Sequence, residues 1–88
     1  MNELQKFQAN TEKNNRILQL AIKEVDSTIL VLALAGYNQT ERELILRNCS
    51  ERAAAMLEAD IRKIRATVEQ IQQAQNQFLQ ILENATRT

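Results

Sequence analysis

Cys49 and Ser50 stand side by side in the stretch ILRNCSERAAAML, and a thiol beside a hydroxyl is where a covalent nucleophile would first be sought. Either group needs a base within hydrogen-bond reach before it reacts. The chain has no histidine, and its acids are not clustered. Hydrolase and transferase chemistry therefore has no basis in the residues, and Cys49 reads as a small buried hydrophobe. A single cysteine forms no internal disulfide, and without histidine there is no plausible zinc set. The only glycine, Gly36, cannot build a phosphate-cradling loop. The expectation is a protein with no cofactor and no metal that is not an enzyme.

The chemistry that remains is reversible and electrostatic. Arg52 lies just past Ser50, near the expected start of a helix, where a cation opposes the helix dipole by some tenths of a kcal/mol. Its presence asks for a compensating acid. Asp26 or Glu51 could supply one, in which case the planar guanidinium ties a helix corner together. An acid on another molecule could supply it equally well, and the residues leave both roles open. Lys plus Arg and Asp plus Glu each number 11, so the formal net charge is zero. No overall field recruits nucleic acid or anionic lipid.

The elements that must position these groups are helical. Gly 1 and Pro 0 remove most of the turn chemistry that sheets need. Leu4 and Phe7, three apart, give residues 1–14 a narrow apolar stripe, read as a docked helix or a frayed arm. Asn14 or Asn15 is placed to cap a helix whose Ile17, Leu18, Ala21, Ile22 and Val25 share one face. Asp26 caps STILVLALAG, apolar almost all round and ending at Gly36. A buried strand over TILVL is the competing reading, but no second strand exists to pair with it. Thr40 and Glu43 match a T-x-x-E capping box. Ser50 caps the next helix, whose alanines Ala53 to Ala55 permit close approach to a neighbour. Corners are expected near Asp26, Gly36 to Thr40 and Ser50.

Ile61, Ile64, Val68, Ile71, Gln75, Phe78 and Leu82 recur three and four residues apart, a heptad seam with one polar interruption. Thr67 and Gln70 could form a capping box that starts a separate last helix, yet no Gly or Pro compels a break. An unbroken helix from Glu51 to Asn84 would be roughly 50 Å long, beyond the span of a compact chain of this size. It would expose Val68, Ile71, Phe78 and Leu82 unless a second chain covered them. The local sequence leans towards this continuous helix and a homodimer; a break at Thr67 would fold the same residues back onto the core. The start, MNELQKFQANTEK, lacks the apolar region of a signal peptide and the run ILVLALAG is too short to span a bilayer, so the expectation is a cytoplasmic protein without membrane insertion.

Three blocks in order, KEVDSTILVLALAG, NCSERAAAMLEAD and IQQAQ, resemble the carboxy-terminal domain of the flagellar motor switch protein family, FliG. There REVD...LALALKG leads to NMSxRAAxxLxxD and then VxxAQ. The match covers roughly Asn15 to Leu82, so residues 15–88 read as the domain and residues 1–14 as its N-terminal helix or arm. The resemblance implies a compact all-α, armadillo-like domain of about five helices. Its function would be torque or switching through complementary charges facing a stator's cytoplasmic loop or another switch-complex protein, at the cytoplasmic face of a membrane-bound machine. The family's arginine of SxRAA falls on Arg52 and the second acid of its downstream pair on Asp60. From the residues alone, Asp60 reads equally as a solvated carboxylate pairing with Lys63.

The departures are specific. The family's lysine before the glycine is Ala35 here, the first acid of the pair is Ala59, and the usual Gly-Pro break becomes the shorter KIRAT. The anchoring domains that precede this region in the family are not among the 88 residues, so the chain alone is not expected to be a complete rotor subunit. A self-associating helical adaptor or scaffold without a motor role is the alternative function.

Overall fold

The computed structural model describes residues 3–87; residues 1, 2 and 88, which fall within the sequence divisions 1–14 and 15–88, lie outside the described residues. A 3₁₀ turn, Glu3–Phe7, is followed by α1 (Glu12–Glu24), α2 (Ser27–Ala35), α3 (Gln39–Leu46), α4 (Glu51–Lys63) and α5 (Val68–Thr86). The all-α architecture expected from composition and capping is the one observed.

Each helix starts where a short polar side chain replaces a missing backbone partner. Thr11 accepts from the Asn14 N–H at 3.1 Å, Asp26 from Thr28 at 2.8 Å and Ser50 from Ala53 at 3.1 Å. The cap of α1 is therefore Thr11, not Asn14 or Asn15. Those asparagines sit inside the first turn and donate backwards instead, Asn14 to the Ala9 carbonyl at 3.0 Å and Asn15 to Asn10 Oδ1 at 2.7 Å. They tie the incoming loop to the helix. Leu4 and Phe7 are eclipsed by the three-residue period of the 3₁₀ turn and both are buried.

The capping box of α3 lies two residues upstream of the expected one. Asn38 accepts from the Glu41 N–H and Glu41 accepts from the Asn38 N–H, both at 2.9 Å, while Glu43 takes the Gln39 amide. The earlier start has a physical reason. It brings Arg42 to the end of α2, where Nε donates to the Leu34 carbonyl at 2.8 Å and Nη2 to the Ala35 carbonyl at 3.0 Å. A cation satisfying the last carbonyls of a helix is favourable twice, through the bonds and the dipole.

The continuous helix of the sequence reading does not form. Thr67 and Gln70 complete a reciprocal box, the Gln70 N–H donating to Thr67 Oγ1 at 3.1 Å and the Thr67 N–H to Gln70 Oε1 at 3.0 Å. Backbone φ −73° and ψ 140° at Ile64 end α4 in an extended conformation. The chain then turns back, and α5 packs chiefly on α2 and α1. The molecule measures 33 × 27 × 22 Å with a Cα radius of gyration of 12.0 Å, too small for an overhanging helix. Removing either box is a contained perturbation: Asn38→Ala and Thr67→Ala should each lower unfolding free energy by about 1 kcal/mol, read from thermal melts.

Among the described residues the core is apolar apart from the phenol oxygen of Tyr37, with Phe78, Leu4, Leu18, Leu34, Ile45 and Leu82 fully enclosed. Gly36 closes α2 at φ −93°, ψ −7°, a conformation any residue adopts. Its missing side chain serves proximity, since a Cβ there would collide with Ile71 Cγ2 and Gln75 Nε2. That approach lets Gln75, the polar break in the heptad seam, donate to the Ala33 carbonyl at 3.2 Å. Tyr37, next in the chain, is buried, and desolvation together with the nearby Glu41 carboxylate pushes its phenol far above the ordinary range.

Candidate interaction surface

Helix α4 is held lightly. Of its residues only Leu57 is buried, with Ala53, Ala54, Ala59 and Ile61 half-covered. Arg52, Met56 and Asp60 recur every four residues, which sets them along one ridge of the helix surface. All three are exposed, Met56 at 60%. The ridge thus presents a cation, a flexible thioether and a carboxylate, with Arg52 and Asp60 separated by roughly 12 Å along the axis.

Neither charge is consumed internally. Among the described residues the Arg52 side chain makes no hydrogen bond or ion pair, although it sits in the first turn, where the dipole disfavours it. Asp26, one of the acids that could have tied the corner, caps α2 instead. Asp60 forms no ion pair with Lys63; both border a shallow cavity of about 230 Å³ with Ser27, Thr28, Val31 and Ile64. Exposed pairs of this type contribute little to folding, so both charges are free to meet another molecule at small cost in stability.

The remaining sequence candidates are placed differently. Phe78 and Leu82 are 0% and 2% exposed, within the chain's own core, and Ile71 is half-buried against Gly36. On the folded chain these residues are not available as a seam. Only Val68, at the first position of α5, stands in solvent, 71% exposed. Cys49 packs half-buried beside the core, its thiol donating weakly to the Ile45 carbonyl at 3.6 Å, and burial raises its pKa. A thiol so placed is a poor nucleophile. Among the described residues no group of His, Cys, Asp or Glu could hold a metal ion, and no helix is long and apolar enough to cross a membrane.

Sequence reasoning missed Arg42, which puts a guanidinium over the α2 terminus beside Ala35, the position where the resembling family carries lysine. The signal was present: a cation six residues past the only glycine, within reach of the helix end it caps.

The structure is thus a compact helical domain with an apolar core, a lightly held helix and uncommitted charges along one ridge. The model of the FliG C-terminal domain matches residues 2–88, and the chain belongs to that family. It is 36% identical over 76 residues to the flagellar motor switch protein FliG of Pseudomonas aeruginosa, covering 85% of this chain and 22% of that protein. To the flagellar motor switch protein FliG of Thermotoga maritima it is 31% identical over 77 residues, 86% of this chain and 23% of that protein. The chain therefore spans less than a quarter of the length of these relatives.

Proposed function

We propose that this chain is a rotor-type interaction module that meets a protein partner through the α4 ridge, in the manner the family's torque and switch domain implies, without covalent chemistry. The observation that carries the reading is the pair Arg52 and Asp60, exposed, uncommitted and aligned on a helix that buries a single side chain. The partner is a stator cytoplasmic loop or another switch-complex protein, and the domain works on the cytoplasmic side of a membrane-bound machine. With Ala35 and Ala59 uncharged, Arg52 and Asp60 carry a larger share of the contact than in a chain with the full charge set.

The test is titration of the domain with a stator cytoplasmic-loop peptide. Arg52→Glu and Asp60→Lys should each weaken binding about tenfold, equivalent to about 1.4 kcal/mol. Raising salt well above physiological levels should weaken the parent in the same way. Melting temperature should move by no more than a few degrees, because exposed substitutions seldom cost over about 0.5 kcal/mol. Unfolding by Arg52→Glu would restore the corner-tying role, and a salt-indifferent dimer in sedimentation equilibrium would favour the scaffold function.

A further inference from the structure

A second surface lies on the flank of α4, between α1 and the α3–α4 corner. Its floor is Ile22, Cys49 and Ala53, its cavity about 540 Å³, and its rim carries Arg16, Leu20 and Lys23. Leu20 is anomalous in its own helix. The face of α1 that enters the core is built from Ile17, Leu18 and Ala21, continued by Val25 just past its end, yet Leu20 stands off it, 41% exposed. With Arg16 four residues before it and Lys23 three after, Leu20 completes a stripe of cation, leucine and cation along one side of the helix.

The charges of this groove are one-sided. None of its lining residues is acidic, whereas the other clefts mix the signs: Asp60 with Lys63, Glu83 with Arg87, Glu43 with Arg47 and Glu58 with Arg62. Arg16 and Lys23 form no ion pair among the described residues. The groove lining therefore holds two cations and no acid around an apolar floor. Gln19 donates to Asn48 Oδ1 at 3.3 Å, linking α1 to the α3–α4 corner across the groove.

We infer that this groove docks an acidic amphipathic helix of a protein partner, with apolar side chains seated on Leu20, Ile22, Cys49 and Ala53 and flanking carboxylates paired with Arg16 and Lys23. The apolar floor distinguishes this occupant from a nucleic-acid strand or a lipid surface, which would leave it uncovered or require a broader basic field. The groove is distinct from the Arg52–Met56–Asp60 ridge, and the inference stands whatever molecule meets that ridge.

Cys49, the only thiol, provides the readout from within the floor. The full chain is alkylated with neutral iodoacetamide in the presence of a synthetic amphipathic helix bearing leucines on one face and glutamates beside them, then a counterpart with lysines for the glutamates. The acidic peptide should slow alkylation at least fivefold and the basic one should not. Lys23→Glu and Arg16→Glu should each weaken the acidic peptide about tenfold, and together they should transfer protection to the basic peptide. Leu20→Gln, at a partly exposed position outside the buried core, should abolish protection by either peptide. Equal protection by both peptides, protection by anionic vesicles matching that of the acidic peptide, or retained protection in Leu20→Gln would overturn the assignment. Arg52→Glu separates the two surfaces: loss of protection there, with Lys23→Glu silent, places the peptide on the ridge and also rejects the groove.

Discussion

Replacing Phe78 with alanine is expected to lower the unfolding free energy by about 3–5 kcal/mol and to leave the domain largely unfolded at 37 °C. The ring is 0% exposed, in the middle of the helix that packs on both α1 and α2. Removing it forfeits the transfer free energy of an aromatic side chain and leaves a cavity that three helices cannot close together. A domain of this size has only about 5–15 kcal/mol of stability to lose, and each kcal/mol shifts its melting temperature by roughly 4–8 °C. Urea denaturation followed by circular dichroism gives the value directly. A loss under about 1 kcal/mol would mean that α5 does not occupy its place in the core, and the continuous exposed helix would return to consideration.

The second large effect is expected at Gly36. Valine there should cost about 1–3 kcal/mol through overpacking, with alanine at the lower end. Because the backbone at Gly36 lies in the right-handed region, the substitution carries no conformational penalty in the folded state, and the loss reflects crowding less the modest gain from a stiffer unfolded chain. The colliding atoms belong to Ile71 and Gln75, and displacing Gln75 also removes its bond to the Ala33 carbonyl. A double-mutant cycle isolates the cause. Ile71→Ala should be less damaging in the Gly36→Ala background than in the parent chain, giving a coupling of at least about 0.5 kcal/mol in favour of the pair. Strict additivity would show that α5 does not press on this corner.

Much of this architecture was legible in the sequence because the strongest signals were local. Asp26 and Ser50 announced their helices through single side-chain acceptors, and the face of α1 followed from spacing alone. The starts expected at Asn14 or Asn15 and at Thr40, observed instead at Thr11 and Asn38, were misplaced where several capping residues compete within a few positions. Tertiary demands then chose among them: Arg42 reaches the carbonyls of Leu34 and Ala35 from a helix that starts at Gln39. At Thr67 the sequence offered a capping box and an unbroken apolar seam together. Periodicity could not decide, because a seam folded back on its own core has the same spacing as one facing a second chain. Burial of Phe78 and Leu82 against α1 and α2 is a long-range fact. On the surface, the awkward place of Arg52 in a helix is readable from sequence and the structure leaves its side chain exposed, while the exposure of Leu20 is not readable, because it looks like one more leucine in an amphipathic stretch.

The separation between core and charge has a consequence for how such a domain changes over generations. No charged side chain is buried among the described residues, and the charged groups that support the fold do so at helix ends, Asp26 and Glu41 at the starts of α2 and α3 and Arg42 over the last carbonyls of α2. Substitutions that rewrite the outer layer are then nearly invisible to folding and visible only to whatever the layer touches. Ala35 and Ala59, both half-buried, stand where the resembling family pattern has charged residues. Partner choice can drift by surface changes alone, and a domain built like this is freer to acquire a new counterpart than to acquire a new shape.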